Sequence, residues 1–382
     1  MKILGIETSC DETAVCIVEA EGGIQKPTFD VLGNALYSQI KIHAEYGGVF
    51  PMIAKREHAK NLVPLFKKAL EDAGLYKELP QNIPQDVLEK LKLILSREYD
   101  LYETLIKVVN SIKKPDIDLI SVTSGPGLEP ALWVGIVFAQ ALSEVWNIPV
   151  IGANHMEGHI ISPLITAGSE VVFPALALLI SGGHTELVLA KGWMQYEVIG
   201  KTRDDAVGEA FDKVARLLSM PYPGGPLVSK LAHDARTAHT TPQFKLPRPM
   251  IKTDDFDFSF SGIKTAVLYT IQKIPKLTED QKKEMALEFE NAVTEVLVAK
   301  TRKALEEYEI KTLIIGGGVI ANTYIREEFT KLISEFTETK LLIPETTMAT
   351  DNAVMIAAAG YINHLGGKVA AKDIIAEGNL AL

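Results

Sequence analysis

The stretch Asn154-His155-Met156-Glu157-Gly158-His159 places two imidazoles four residues apart. On a helix both would leave one face about one turn apart and could share a metal ion. It is not the metalloprotease pattern, which needs a Glu directly after the first His as general base; Met156 holds that place. The third ligand is expected to be an acid brought in from elsewhere, and Asp351 in Ala349-Thr350-Asp351-Asn352-Ala353 is the candidate. Two bland readings stand beside this one: polar residues at a helix start beneath a domain interface, and Asp351 as the N-cap of the apolar run that follows it.

Glycine clusters supply a second kind of chemistry. Ser181-Gly182-Gly183 follows a fully apolar strand, and glycines there let backbone N–H groups approach an anion, as a phosphate cradle or as a plain hairpin turn. Gly316-Gly317-Gly318 ends a second strand and leads into a helix around Asn322, an arrangement suited to a flat purine or ribose. It lacks the spacing of a dinucleotide fingerprint. Asp212 lies in a helical stretch and could accept from ribose hydroxyls or pair with Arg216 one turn on. Gly225, in the rigid turn Tyr222-Pro223-Gly224-Gly225-Pro226, would permit close approach of the same ribose. Cys10 and Cys16 are read as small buried hydrophobes; two thiols supply neither a multi-cysteine metal site nor a disulfide framework.

These residues need a scaffold. Apolar runs predict strands at Ile3–Thr8, Ala14–Glu19, Leu119–Thr123, Ala175–Ile180, Glu186–Ala190, Thr312–Ile315 and Lys340–Ile343. Helical spacing predicts helices at Ile53–Ala73, Ala131–Trp146, Asp204–Leu218, Gly262–Ile274, Thr278–Tyr308 and Ala349–His364. Their alternation gives an α/β architecture. Strand, polar turn and strand occur at Gly5–Thr13 and again at Leu178–Thr185, a duplication that would let two domains clamp a nucleotide phosphate between two hairpins. Tyr76 to Lys114 carries apolar residues at helical spacing and reads as a helical hairpin laid on the first domain.

Composition sets the limits. The 382 residues, 47% of them apolar, suit two domains. With 39 Lys+Arg against 49 Asp+Glu the net charge is −10, which excludes a general nucleic-acid coat and leaves any RNA contact to a local basic patch. The opening strand carries no presequence pattern, and no run nears the roughly 18 apolar residues of a membrane span, so a cytoplasmic enzyme is expected.

In their order along the chain these fragments resemble one family, the TsaD/Kae1/Qri7 proteins of the actin-like ATPase fold. The resemblance rests on the stretches 5–13, 155–159, 181–185, 204–213, 222–226, 258–265, 316–322 and 350–353, and His184 after the glycine pair is similar to the bacterial branch. It implies a two-domain actin/Hsp70-like fold with duplicated mixed-sheet cores and a cleft. The domains would be 1–160 with about 350–382, carrying a helical insertion at about 76–114, and 161–349. It also implies His155, His159 and Asp351 as ligands of one divalent metal, Fe(2+) favoured and Zn(2+) the alternative. Leu179, Ile180, Ser181, Gly182 and Gly183 would line the phosphate and acyl side, and Asp212, Gly225, Gly317, Gly318 and Asn322 would hold the nucleoside of ATP or an adenylate. The extra segment departs from the family pattern, and so does Glu129-Pro130, which is expected to reshape the rim of the cleft or a partner surface.

The family reaction moves a threonylcarbamoyl group from threonylcarbamoyl-adenylate to N6 of the adenosine 3′ to the anticodon in tRNAs reading codons that begin with A, releasing AMP. An activated mixed anhydride needs no protein nucleophile, in keeping with the absence of an evident Ser-His-Asp or Cys-His set. Glu12 or Asp11 is the candidate general base. The implied partners are tRNA, a TsaB-like paralogue forming a heterodimer, a TsaE-like ATPase and an upstream TsaC-type synthase. Lys55, Arg56, Lys245, Arg248 and Lys252 are the cations first expected to meet tRNA phosphate. A metalloprotease, a small-molecule kinase or ATPase of the same fold, and a nucleotide-binding scaffold are the competing classes.

Overall fold

The computed structural model describes residues 1–166, 170–371 and 373–382. The chain divides into two compact units, Met1–Glu170 with Asp351–Leu382, and Val171–Thr350.

The first unit is built on β1 (Lys2–Glu7), β2 (Glu12–Glu21), β3 (Thr28–Ser38), β4 (Leu119–Gly125) and β5 (Val150–Asn154). Their order is β3-β2-β1-β4-β5; β1 is antiparallel to β2 and parallel to β4, and β4 is parallel to β5. The second unit repeats the plan with β6 (Ala175–Ile180), β7 (Thr185–Gly192), β8 (Gln195–Lys201), β9 (Thr312–Gly316) and β10 (Lys340–Leu342). Read as β8-β7-β6-β9-β10, it has the same sequence of antiparallel and parallel neighbours. Each unit therefore opens with a hairpin and closes with parallel strands, the duplicated mixed-sheet α/β fold expected from the sequence.

Helices cover the first sheet because its central strands, apolar on both faces, must be buried on both. Helices Pro51–Asp72 and Glu129–Trp146 pack together, with Phe66, fully buried, edge-on to Phe138 at 5.8 Å and beside Trp146 at 6.0 Å. Phe66→Ala should lower stability by about 3–5 kcal/mol. A urea transition shifted by less than a third of that would show that the site collapses around the loss. Helix Ala353–Leu365 lies against β1, a contact Gly5 permits, since a Cβ there would come within 2.4 Å of the Ala353 carbonyl.

Several expectations need correction. The helix expected from Ala349 is two: a single turn at Thr346–Ala349, then Ala353–Leu365, because the Asn352 side chain accepts from Met355 N at 3.0 Å and starts the second helix there. Strands β3, β5 and β8 were not expected; β8 is mostly exposed and polar and so lacks an apolar signal. Glu129-Pro130 forms the first turn of helix Glu129–Trp146, with an acid and a proline where a helix start favours both.

Between Tyr76 and Lys114 lie helices Gln85–Ile94 and Tyr99–Val109. Glu98 between them pairs with Lys55 at 2.7 Å, and Lys90 pairs with Glu144 at 2.6 Å. Among the described residues no helix is long and apolar enough to cross a membrane.

Candidate metal centre and nucleotide pocket

In the first unit Asn154 ends β5 and caps helix His155–Ile161, its Oδ1 accepting from Met156 N at 2.8 Å and Glu157 N at 3.2 Å. The helix thus begins at His155, and its first turn brings His155 and His159 to a ring separation of 4.8 Å. Both are buried. Asp351 sits just before the helix that packs on β1, and its Oδ1 lies 3.4 Å from His155 Nε2 and 3.2 Å from His159 Nε2. Because Asn352 is the N-cap, Asp351 is free of that duty.

These donors fit a metal ion. Bonds of ~2.0–2.2 Å at tetrahedral angles separate ligand atoms by roughly 3.3–3.6 Å, and the three residues offer atoms all within 4.8 Å of one another. Burial disfavours charge on His155, but the carboxylates of Asp351 and Glu7 outweigh it and hold the ring well above its ordinary pKa. Burial likewise opposes ionisation of Asp351, and the two imidazoles outweigh that and hold it well below the usual range. Without an ion the charged carboxylate therefore faces a protonated His155, and an ion binding there would displace the proton from Nε2.

Glu12 and Asp11, on the turn from β1 into β2, share a hydrogen bond. Burial, then the charges of Asp11 and Asp351, push the Glu12 carboxyl well above its ordinary value, so a nearby cation would favour the carboxylate form that a base requires. Burial, followed by neighbouring Asp11, also holds the Cys10 thiol protonated, and burial alone pushes Cys16 up to about 12, in keeping with inert thiols.

The second unit contains a pocket of about 580 Å³. Four glycines, Gly182, Gly208, Gly225 and Gly318, form much of its wall, with Asp212 and Asn322 among its polar groups. Asp212 Oδ1 accepts from the N–H groups of Gly224 at 2.7 Å and Gly225 at 3.2 Å, which fixes the start of helix Gly225–Thr237. Asn322 caps helix Thr323–Ser334 through Oδ1, while its amide donates to Ser229 Oγ and to Glu290 Oε1, both at 2.7 Å. Both side chains hold the pocket in shape.

The other expected residues do not line this pocket. Leu179 and Ile180 are fully buried in β6. The Ser181 hydroxyl accepts from Gly183 N at 3.3 Å and His184 N at 3.0 Å, so those two N–H groups serve the hairpin turn. Gly317, with φ of 92°, is pressed on the Ile180 backbone, where any side chain would clash as well as strain. Conversely Ser229, Lys230 and His233 line the pocket and were not anticipated. The i, i+4, i+8 spacing of Gly225, Ser229 and His233 is the signal for them, one face of a helix where the sequence reading stopped at the turn.

The expected basic patch also changes. Arg248 Nε and Nη2 donate to Glu295 at 2.8 Å and Nη1 donates to Glu288 at 2.5 Å, tying its guanidinium to helix Glu279–Glu307. Lys55 is engaged by Glu98. Lys245 and Lys252 remain exposed.

A family model described as "TsaD: tRNA N6-adenosine threonylcarbamoyltransferase" matches residues 30–83 and 100–358. The chain belongs to the TsaD family. Proteins named tRNA N6-adenosine threonylcarbamoyltransferase in Thermosipho africanus (strain TCF52B) and Persephonella marina (strain DSM 14350 / EX-H1) are similar to it throughout. The first is 44% identical over 94% of each chain, the second 42% identical over 94% of this chain and 90% of the other. Between its two matched stretches the TsaD model passes over residues 84–99, which contain helix Gln85–Ile94. Full-length HypF in its phosphate- and nucleotide-bound form shares the fold, with a TM-score of 0.53 at 12% identity over 96% of this chain and 55% of that one.

Proposed function

We propose that this TsaD-family chain transfers the threonylcarbamoyl group of threonylcarbamoyl-adenylate to N6 of the adenosine 3′ to the anticodon, in tRNAs that read codons beginning with A. The C–N bond to N6 forms as the bond from the carbonyl carbon to phosphate oxygen breaks; AMP departs and N6 gives up a proton. The observation that supports this best is the His155–His159–Asp351 donor set inside a chain so similar to enzymes named for that modification.

In this reading the glycine-walled pocket takes the adenosine half of the donor, with Asp212 and Gly225 beside the ribose. His155, His159 and Asp351 hold one divalent ion, Fe(2+) in preference to Zn(2+). When bound, such an ion supplies Lewis acidity toward carbonyl and phosphate oxygens. Glu12 or Asp11 is the base that takes the N6 proton, and the role needs Glu12 as the carboxylate, the form that a cation held at Asp351 favours. The acceptor base lies in a loop, so presenting N6 costs less than extrusion from a duplex. A TsaB-like paralogue, a TsaE-like ATPase and a TsaC-type synthase complete the cytoplasmic system.

The test combines the purified chain with unmodified tRNA, threonine, bicarbonate, ATP and those partners, followed by mass spectrometry of the nucleosides. Threonylcarbamoyladenosine should accumulate only when this chain is present. Equal accumulation without it would overturn the assignment.

A further inference from the structure

Glu7 is the last residue of β1 and is fully buried. A carboxylate in that position needs every lone pair used and some compensation for its charge. Oε1 accepts from Ser9 N at 2.5 Å; Oε2 accepts from Thr123 Oγ1 at 2.7 Å and lies 3.0 Å from His155 Nδ1. Its partners are thus a backbone amide, a hydroxyl and one imidazole, with no Lys or Arg among them.

A carboxylate oxygen accepts, and Nδ1, 3.0 Å from Glu7 Oε2 and 3.3 Å from Ser9 Oγ, is the ring atom placed to donate there. That leaves Nε2, the atom facing Asp351, as the ring's ligand atom. His159 is built differently: its Nε2 also faces Asp351, but its buried Nδ1 has no hydrogen-bond partner among the described residues. The two imidazoles are therefore not equivalent. We infer that Glu7 is a positioning residue of the metal centre, locking the tautomer and direction of His155 and making it the preorganised ligand, with Thr123 and Ser9 holding Glu7 in turn. The inference rests on the metal reading of His155, His159 and Asp351. It adds to that reading a residue outside the ligand set, at the end of β1.

A carboxylate behind a ligating imidazole typically contributes about 10–100-fold in metal affinity. Glu7→Gln keeps the shape but can offer an N–H to Nδ1, which would move the ring proton to Nε2 and off the ligand's task. Co(II) titration of the full chain, read by visible absorption and by competition with a chelator, should show wild type binding one ion and Glu7→Gln binding about 10–100-fold more weakly with an altered spectrum. Thr123→Val should weaken binding by a smaller factor. Circular dichroism and the urea midpoint report on folding.

Affinity of folded Glu7→Gln within twofold of wild type would overturn the inference while leaving the metal centre standing. Absence of Co(II) binding by wild type would instead remove the centre itself, and the inference with it. Should Glu7→Gln not fold, nitrogen-15 labelled histidine in the Zn(II)-loaded wild type decides. A slowly exchanging Nδ1–H on His155 with Nε2 bound to metal supports the lock; metal on Nδ1, or a freely exchanging Nδ1 proton, refutes it.

Discussion

Asp351→Asn should cut the rate of tRNA modification by about 10³-fold or more in a chain that remains folded. Ion-assisted charge stabilisation of several kcal/mol corresponds to that factor at 1.36 kcal/mol per tenfold. Three features favour a folded variant. Asp351 is only half-buried, Asn is close to it in volume, and the neighbouring helix is capped by Asn352 rather than by Asp351. His155→Ala is a poorer probe, because it would leave the Glu7 carboxylate buried without its imidazole, and breaking a buried charged pair costs about 3–5 kcal/mol. Lost activity there would be confounded with lost fold. The measurement is threefold: nucleoside mass spectrometry for rate, elemental analysis for metal per chain, and urea unfolding for stability. Full activity in a metal-free Asp351→Asn protein would end the case for a working metal centre.

The contrast between Asp351 and its neighbour shows what the sequence could reveal. Asp and Asn both cap helices, and from residue types alone Asp351 had two roles open to it, cap of the following helix and metal ligand. Only the backbone resolves them, by aiming Asn352 at Met355 N. The His155/His159 spacing was legible because four residues is a property of any helix, and the duplicated hairpins were legible because period-two apolar runs mark strands. Glu7 was not, for a physical reason: a single acid ending an apolar strand carries no period, and its significance comes from Thr123 and His155, 116 and 148 residues away. The pocket was half legible. Its glycines announce themselves as breaks in pattern, whereas Ser229, Lys230 and His233 lie on a helix whose apolar stripe, Val228, Ala232 and Ala235, is too short and small to be conspicuous.

Glycine replacement separates the pocket's shape from its support. At Gly225 an added Cβ would meet nothing nearer than Phe211 Cβ at 3.9 Å, so Gly225→Leu should project into the 580 Å³ space at little structural cost. Overfilling a formed site costs about 1–3 kcal/mol, hence roughly 5–150-fold in adenine-nucleotide affinity with an unchanged melting temperature. At Gly208 the same change meets backbone: a Cβ would lie 2.6 Å from the Ser181 carbonyl oxygen and 2.9 Å from Gly182 Cα. Helix Val207–Leu217 would have to retreat from the β6–β7 turn, so Gly208→Leu should lose stability and nucleotide affinity together. Calorimetric titration with ATP and AMP beside thermal melts of both variants distinguishes the cases. If Gly225→Leu binds nucleotide as wild type does, the pocket is not where the adenosine half of the donor rests. If Gly208→Leu melts unchanged, the close approach of helix to turn is not what holds the pocket's glycine wall in place.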